Sequence, residues 1–213
     1  MKAAFFDMDG TLVDSSGDLC ATVNHTRREL GLGELKNAEI LRHVGLGARR
    51  LLVDSIPEMA GDEERMLEVF MSHYGEHMME TVAPYPGVAE TLSELRRRGW
   101  KLGVNTAKPG FATRAILDRL GLREYFGDAI VAGGDCAEMK PSALPLRQCA
   151  ALLGHKPGPD DWMVGDSWTD VECAANAGVK SAYCAFGFGR LKEGGRPYTV
   201  RIERFDQLLE HLK

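Results

Sequence analysis

Apolar residues along this chain follow two rhythms in succession. Phe5 and Phe6 close an apolar opening strand that delivers Asp7 and Asp9 and turns sharply at Gly10, either a site or simply a charged turn after an edge strand. From Ser15 to Pro84 no strand-like run occurs. Apolar positions there recur at three- and four-residue intervals, predicting helices over residues 18–30, 38–44, 49–56 and 62–79, broken at Gly31, Gly45, Gly47, Pro57 and Gly61. From Pro86 onward helical and strand-like stretches alternate. Helices are expected over residues 88–98, 111–120, 144–153, 169–177 and 205–212, and strands over 101–104, 129–131, 162–164, 181–185 and 199–202, with a glycine-rich loop at 187–195. Such alternation predicts an α/β fold, a doubly wound parallel sheet covered on both faces by right-handed crossovers, carrying an all-α insert.

Composition narrows the function classes. The chain has 213 residues, 44% hydrophobic and 27% charged, enough for one good core and a smaller appended one. A formal charge of −5 gives no electrostatic footprint for nucleic acid. No apolar run approaches the roughly 20 residues of a membrane helix, and the first residues lack the pattern of a secretory signal. The expectation is a cytoplasmic protein, monomeric or homodimeric, that handles a small metabolite and neither nucleic acid nor membrane. The five cysteines are scattered without a CxxC pair, which predicts neither disulfides nor zinc; Cys149 and Cys173, set among alanines, read as small buried hydrophobes. His73 and His77, four apart on an expected helix, form either a metal clamp or a solvated face.

In an open parallel sheet, ligands bind outside the carboxyl ends of the strands. The first strand ends in Asp7 and Asp9, two positions apart and so expected on one face. Asn105, Thr106 and Lys108 follow the next, Gly133, Gly134 and Asp135 the third with Lys140 just beyond, and Gly165, Asp166, Ser167 and Asp170 the fourth. Clustered carboxylates repel unless a cation neutralises them, and oxygen donors suit a hard ion such as Mg2+. If the ligand is a phosphoryl group, Asp7 is placed to attack phosphorus and Asp9 to protonate the leaving oxygen and later deprotonate water. Mg2+ then falls to Asp7, Asp9 through its backbone carbonyl, and Asp166, with Asp170 and Ser167 in support. Thr106 and Lys140 would serve the phosphoryl oxygens, although alone they also read as a helix-capping threonine and an exposed lysine.

Asp7-Met8-Asp9-Gly10-Thr11-Leu12-Val13-Asp14-Ser15, Thr106, Lys140-Pro141 and Gly165-Asp166-Ser167-Trp168-Thr169-Asp170 resemble, in order, the four motifs of the haloacid dehalogenase superfamily of phosphatases. The resemblance covers essentially the whole chain. Val44-Gly45-Leu46-Gly47-Ala48 and Pro84-Tyr85-Pro86-Gly87-Val88 look most like its phosphoglycolate phosphatase branch. It implies a Rossmann-like core of residues 1–15 and 85–213 and a helical cap of residues 16–84 that closes over the site. It further implies a Mg2+-dependent phosphomonoesterase for a small phosphorylated metabolite, with Gly10, Thr11, Ala107, Lys108, Gly47 and Arg49 near the substrate. Arg49 or Arg50 would meet a substrate carboxylate, or simply lie on a solvated helix face. Gly17 and residues 83–86 are the expected hinge. The second motif departs from the branch's Thr-Asn-Lys-Pro, reading Thr106-Ala107-Lys108-Pro109 with Asn105 on the other side of the threonine. A phosphomutase would carry the same four motifs. A receiver domain would lack both the Asp-x-Asp spacing and the insert, and a halide-removing hydrolase would not need an acid at Asp9.

Overall fold

The computed structural model describes residues 2–213. Six parallel strands form the main sheet: β1 (Ala3–Phe6), β4 (Lys101–Pro109), β5 (Ile130–Gly133), β6 (Trp162–Gly165), β7 (Lys180–Cys184) and β8 (Val200–Ile202). Their spatial order is β5-β4-β1-β6-β7-β8. The most apolar strand, β1, lies between β4 and β6, with Phe6 opposite Val104 on one side and Val164 on the other. Its four side chains are fully buried and alternate between two cores: Ala4 and Phe6 join the cluster that contains Leu92, Ile116 and Phe205, whereas Ala3 and Phe5 join Cys149, Met163 and Cys173. A strand buried on both faces has no polar side to expose, which accounts for its unbroken apolar sequence. The helices α5 (Val88–Arg97), α6 (Gly110–Arg119), α7 (Arg123–Phe126), α8 (Leu144–Leu152), α9 (Trp168–Ala177) and α10 (Leu208–His211) accompany this sheet.

Between β1 and α5 lies the helical insert, α1 (Ser16–Glu29), α2 (Asn37–Leu41), α3 (Ala48–Ser55) and α4 (Glu63–His77). It has a core of its own, built on Leu19, Val23, Ile40, Leu52, Met66 and Phe70, which Ala112 of α6 joins from below. Arg27, almost wholly buried in it, donates to the carbonyls of Gly33 and Ser55 at 2.6 and 2.7 Å and pairs with Glu58 at 2.9 Å. Among the described residues, no helix is long and apolar enough to cross a membrane.

Four features depart from the sequence reading. The chain enters and leaves the insert through a two-stranded antiparallel ribbon, β2 (Val13–Asp14) with β3 (Ala83–Pro84), too short to produce an alternation that can be read. The short α7 has no counterpart among the expected helices. Strand β4 runs five residues beyond its expected end, because Asn105, Thr106 and Lys108 look like loop residues although all are buried. Lastly, Gly17 lies inside α1, and a Cβ there would come within 2.4 Å of Thr81 Oγ1, so glycine provides space instead of a swivel. Next to it, Asp18 ties the two crossing segments together by accepting the Thr81 amide at 2.9 Å, the Thr81 hydroxyl at 2.6 Å and the Val82 amide at 3.1 Å.

His73 and His77 find a third histidine. His25 of α1 stacks on His73 with ring centroids 3.9 Å apart, and His73 on His77 at 4.2 Å. Near-parallel rings direct their in-plane lone pairs side by side and not at one point, which disfavours the metal clamp; His73 Nδ1 instead meets Thr22 Oγ1 at 3.2 Å and His77 Nδ1 meets Glu80 at 2.6 Å. Burial, together with His25, His77 and Arg28 and against Glu80, holds the His73 imidazole below its ordinary range. A histidine depressed on folding binds its proton more readily in the unfolded chain. Stability therefore falls as pH drops below about 6.5. His73→Gln should shrink the difference in urea midpoint between pH 8 and pH 5.5; an undiminished difference would assign the loss to other groups.

Candidate active site

The acidic turn sits where β1 ends. The Asp7 amide still bonds to the Val164 carbonyl at 2.9 Å, but the chain then turns at Gly10, and the Met8 carbonyl accepts from Leu12 and Val13 at 3.0 and 3.1 Å. Gly10 has φ +75, and a Cβ there would lie 1.8 Å from Asp166 Oδ2, so any side chain at this position would strike the second acidic corner. Because β1 and β6 are neighbours in the sheet, their carboxyl ends bring Asp7 and Asp166 together. Ligand oxygens of Asp7, Asp166 and Asp170 all lie within 4.8 Å of one another.

One ammonium faces these three buried carboxylates. Lys140 Nζ lies 2.8 Å from Asp7 Oδ2 and 2.6 Å from Asp170 Oδ1. Asp170 is fixed in turn by the start of α9, where its Oδ2 accepts the Ser167 amide at 3.0 Å and the Ser167 hydroxyl at 2.6 Å. The Gly189 amide donates to Asp166 Oδ2 at 2.7 Å. Burial pushes the Asp7 carboxyl up to about 6, against the pull of Lys140 and with the help of Asp170. Burial, then Asp170 and Asp7, also raise Asp166 well above the carboxylate range. For Lys140, burial works against the charge, but Asp170 and Asp7 outweigh it and the ammonium is held above its ordinary value. Three carboxylates against one ammonium leave a buried negative excess, and oxygen donors of this kind fit a divalent cation such as Mg2+. Asp7 and Asp166 would hold it.

Asp9 faces elsewhere. The expectation that it shares a face with Asp7 assumed a strand that continues, but β1 stops at Phe6, and the turn sends the Asp9 carboxylate to Ser15 Oγ at 2.6 Å and Lys108 Nζ at 2.7 Å. Both aspartates still line one cavity with Thr106, Ala107, Lys108 and Asp166. The insert closes it with Leu19, Gly47, Leu51, Phe70 and Tyr74, and the space left is about 40 Å³, room for about three waters.

Not every expected residue reaches this cavity. Arg49 is exposed and paired with Glu64 at 2.6 Å, and Arg50 with Asp54 at 2.8 Å, so neither guanidinium is brought to the site: at the start of α3 their side chains leave the apolar face that Leu51 and Leu52 bury. Thr11 is fully buried outside the cavity lining. Tyr74, Phe188 and Gly189 line or fix the site although no motif in the sequence marks them. Tyr74 continues the apolar stripe of Met66 and Phe70 and reads as core; Phe188 and Gly189 belong to the glycine-rich loop, whose composition was the one available signal.

Known proteins share this fold and much of this sequence. The family model for haloacid dehalogenase-like hydrolases matches residues 4–184. The chain belongs to the haloacid dehalogenase-like hydrolase family. Within this family it is 36% identical over 200 residues to the phosphoglycolate phosphatase of Aquifex aeolicus, covering 94% of this chain and 92% of that protein. Its identity to the phosphoglycolate phosphatase of Chromobacterium violaceum is 37% over 207 residues, with the same coverage of 94% and 92%. Among solved structures, a predicted phosphoglycolate phosphatase from Haemophilus somnus superposes with a TM-score of 0.91 at 26% identity, over 100% of this chain and 98% of that one.

Proposed function

We propose that this phosphatase of the haloacid dehalogenase-like family hydrolyses small phosphomonoesters through a phosphoryl group carried on Asp7, with Mg2+ as cofactor. The observation that supports it most is the meeting of Asp7, Asp166 and Asp170 around Lys140 at the carboxyl end of the sheet. In the first step an Asp7 oxygen bonds to phosphorus as the bond to the leaving oxygen breaks, and Asp9 gives that oxygen a proton. In the second, Asp9 takes a proton from water as the water attacks phosphorus, the bond to Asp7 breaks, and phosphate leaves. Lys140 and Thr106 steady the charge on the transferring group. When bound, Mg2+ supplies positive charge to the phosphoryl oxygens and to Asp7; Asp7, Asp166 and the backbone carbonyl of Asp9 are the proposed ligands.

The insert is proposed as a mobile cap, since its Leu19, Leu51, Phe70 and Tyr74 stand over the cavity that Asp7 and Asp9 line and leave about 40 Å³ there. The same size favours small substrates, and the names of the relatives from Aquifex aeolicus and Chromobacterium violaceum make phosphoglycolate the first to try. The test is phosphate release from a panel of phosphorylated acids, sugars and nucleotides, with Mg2+ and with chelator. Release from small phosphorylated acids that stops with chelator is expected. Release indifferent to chelator would overturn the metal assignment, and a sugar phosphate isomerised without free phosphate would make the protein a mutase.

A further inference from the structure

One contact between insert and sheet is not used by the phosphoryl chemistry. Lys108 is 4% exposed, although it belongs to a strand end where a lysine can ordinarily reach solvent. Its ammonium is held from two sides: it donates to Asp9 Oδ1 at 2.7 Å and to the hydroxyl of Tyr74, whose ring centroid lies 5.1 Å from it. Tyr74 comes from the other structural unit, on α4, and its own place is fixed by burial to 1% exposure and by stacking on Phe70 at 5.2 Å. The other insert residues that line the cavity, Leu19, Leu51 and Phe70 among them, carry no polar side chain. Among the described residues, the Tyr74 hydroxyl is therefore the single side-chain polar group that the insert presents to the site.

Its effect passes to Asp9. Ser15 and Lys108 both bond to Oδ1 of that carboxylate, which fixes its plane and leaves Oδ2 clear of both donors. A lysine side chain has four rotatable bonds and spreads over many positions unless its ammonium is anchored twice. We infer that Tyr74 is a positioning residue: by holding the Lys108 ammonium against Asp9 Oδ1, the insert completes the leaving-group side of the site only when it is seated on the sheet. Loss of the hydroxyl leaves Lys108 with one anchor and Asp9 with a looser one, and proton transfer is sensitive to such placement. The inference rests on the assignment of Asp9 as the group that protonates the leaving oxygen.

The test compares Tyr74→Phe with the unaltered protein, both loaded with Mg2+, in single-turnover release of the leaving group, the first step alone, from two substrates. An alkyl phosphate needs its leaving oxygen protonated; p-nitrophenyl phosphate does not. The phenylalanine keeps the stacked ring, so the fold is retained. Release of the alkyl alcohol should fall about tenfold with the half-saturating concentration and the steady-state KM within about twofold, while p-nitrophenol is released at nearly the original rate. An equal fall for both substrates would mean a merely structural role, and a rise in KM alone would make Tyr74 a substrate contact; either overturns the inference, as does no change at all. Activity of the unaltered protein separates the two levels. If it cleaves neither substrate the phosphatase reading fails, whereas if it cleaves both and Tyr74→Phe matches it, the positioning role alone fails.

Discussion

Asp7→Asn is expected to remove phosphate release by at least about 1,000-fold while leaving the fold intact. The amide has the size of the carboxylate but no anionic oxygen to bond to phosphorus, so the covalent route closes without a cavity or a clash. Stability should hold for a reason visible in the site: Lys140 keeps Asp170 at 2.6 Å, and the buried cluster loses one of its three mutually repelling carboxylates. The checks are a phosphate assay and a thermal unfolding curve run on the same preparation. A variant that releases phosphate at the original rate would displace Asp7 as nucleophile and with it the order of steps proposed above.

Lys140→Met should damage both activity and stability. The ammonium is the countercharge shared by Asp7 and Asp170, and its side chain is 1% exposed. Methionine fills similar volume but leaves those carboxylates buried and unpaired, a change that typically costs about 3–5 kcal/mol. Turnover should fall by about 100- to 1,000-fold, the usual effect of removing one well-placed donor from a developing anion. Urea unfolding in chelator measures the first effect free of any metal, and phosphate release in excess Mg2+ measures the second. An unchanged urea midpoint would show that Lys140 does not neutralise the cluster.

The two effects separate the roles of the strand ends. Asp7 and Asp166 come together because β1 and β6 are hydrogen-bonded neighbours, and Lys140 is buried because it answers the charge of Asp7 and Asp170. Thr106 and Lys108 belong to a strand that continues past the point where its sequence stops looking apolar, since what surrounds them there is the site and not the core.

The pattern of residues alone determined the α/β alternation, the position of the helical insert, the apolar first strand and the acidic turn that ends it. These follow from local periodicity and from the rule that parallel strands place their ligands at one edge. Tertiary structure decided what periodicity cannot encode. Tyr74 sits on the same stripe as Phe70, and its hydroxyl acquires a partner only because α4 packs over the end of β4. Arg49 and Arg50, plausible as carboxylate binders, pair with Glu64 and Asp54 instead. Asp9 parts from Asp7 because the strand ends one residue before the pair, and Ser15 and Lys108 then claim its carboxylate. In each case the deciding quantity is the direction of a side chain, which depends on neighbours distant in sequence and not on the residues beside it.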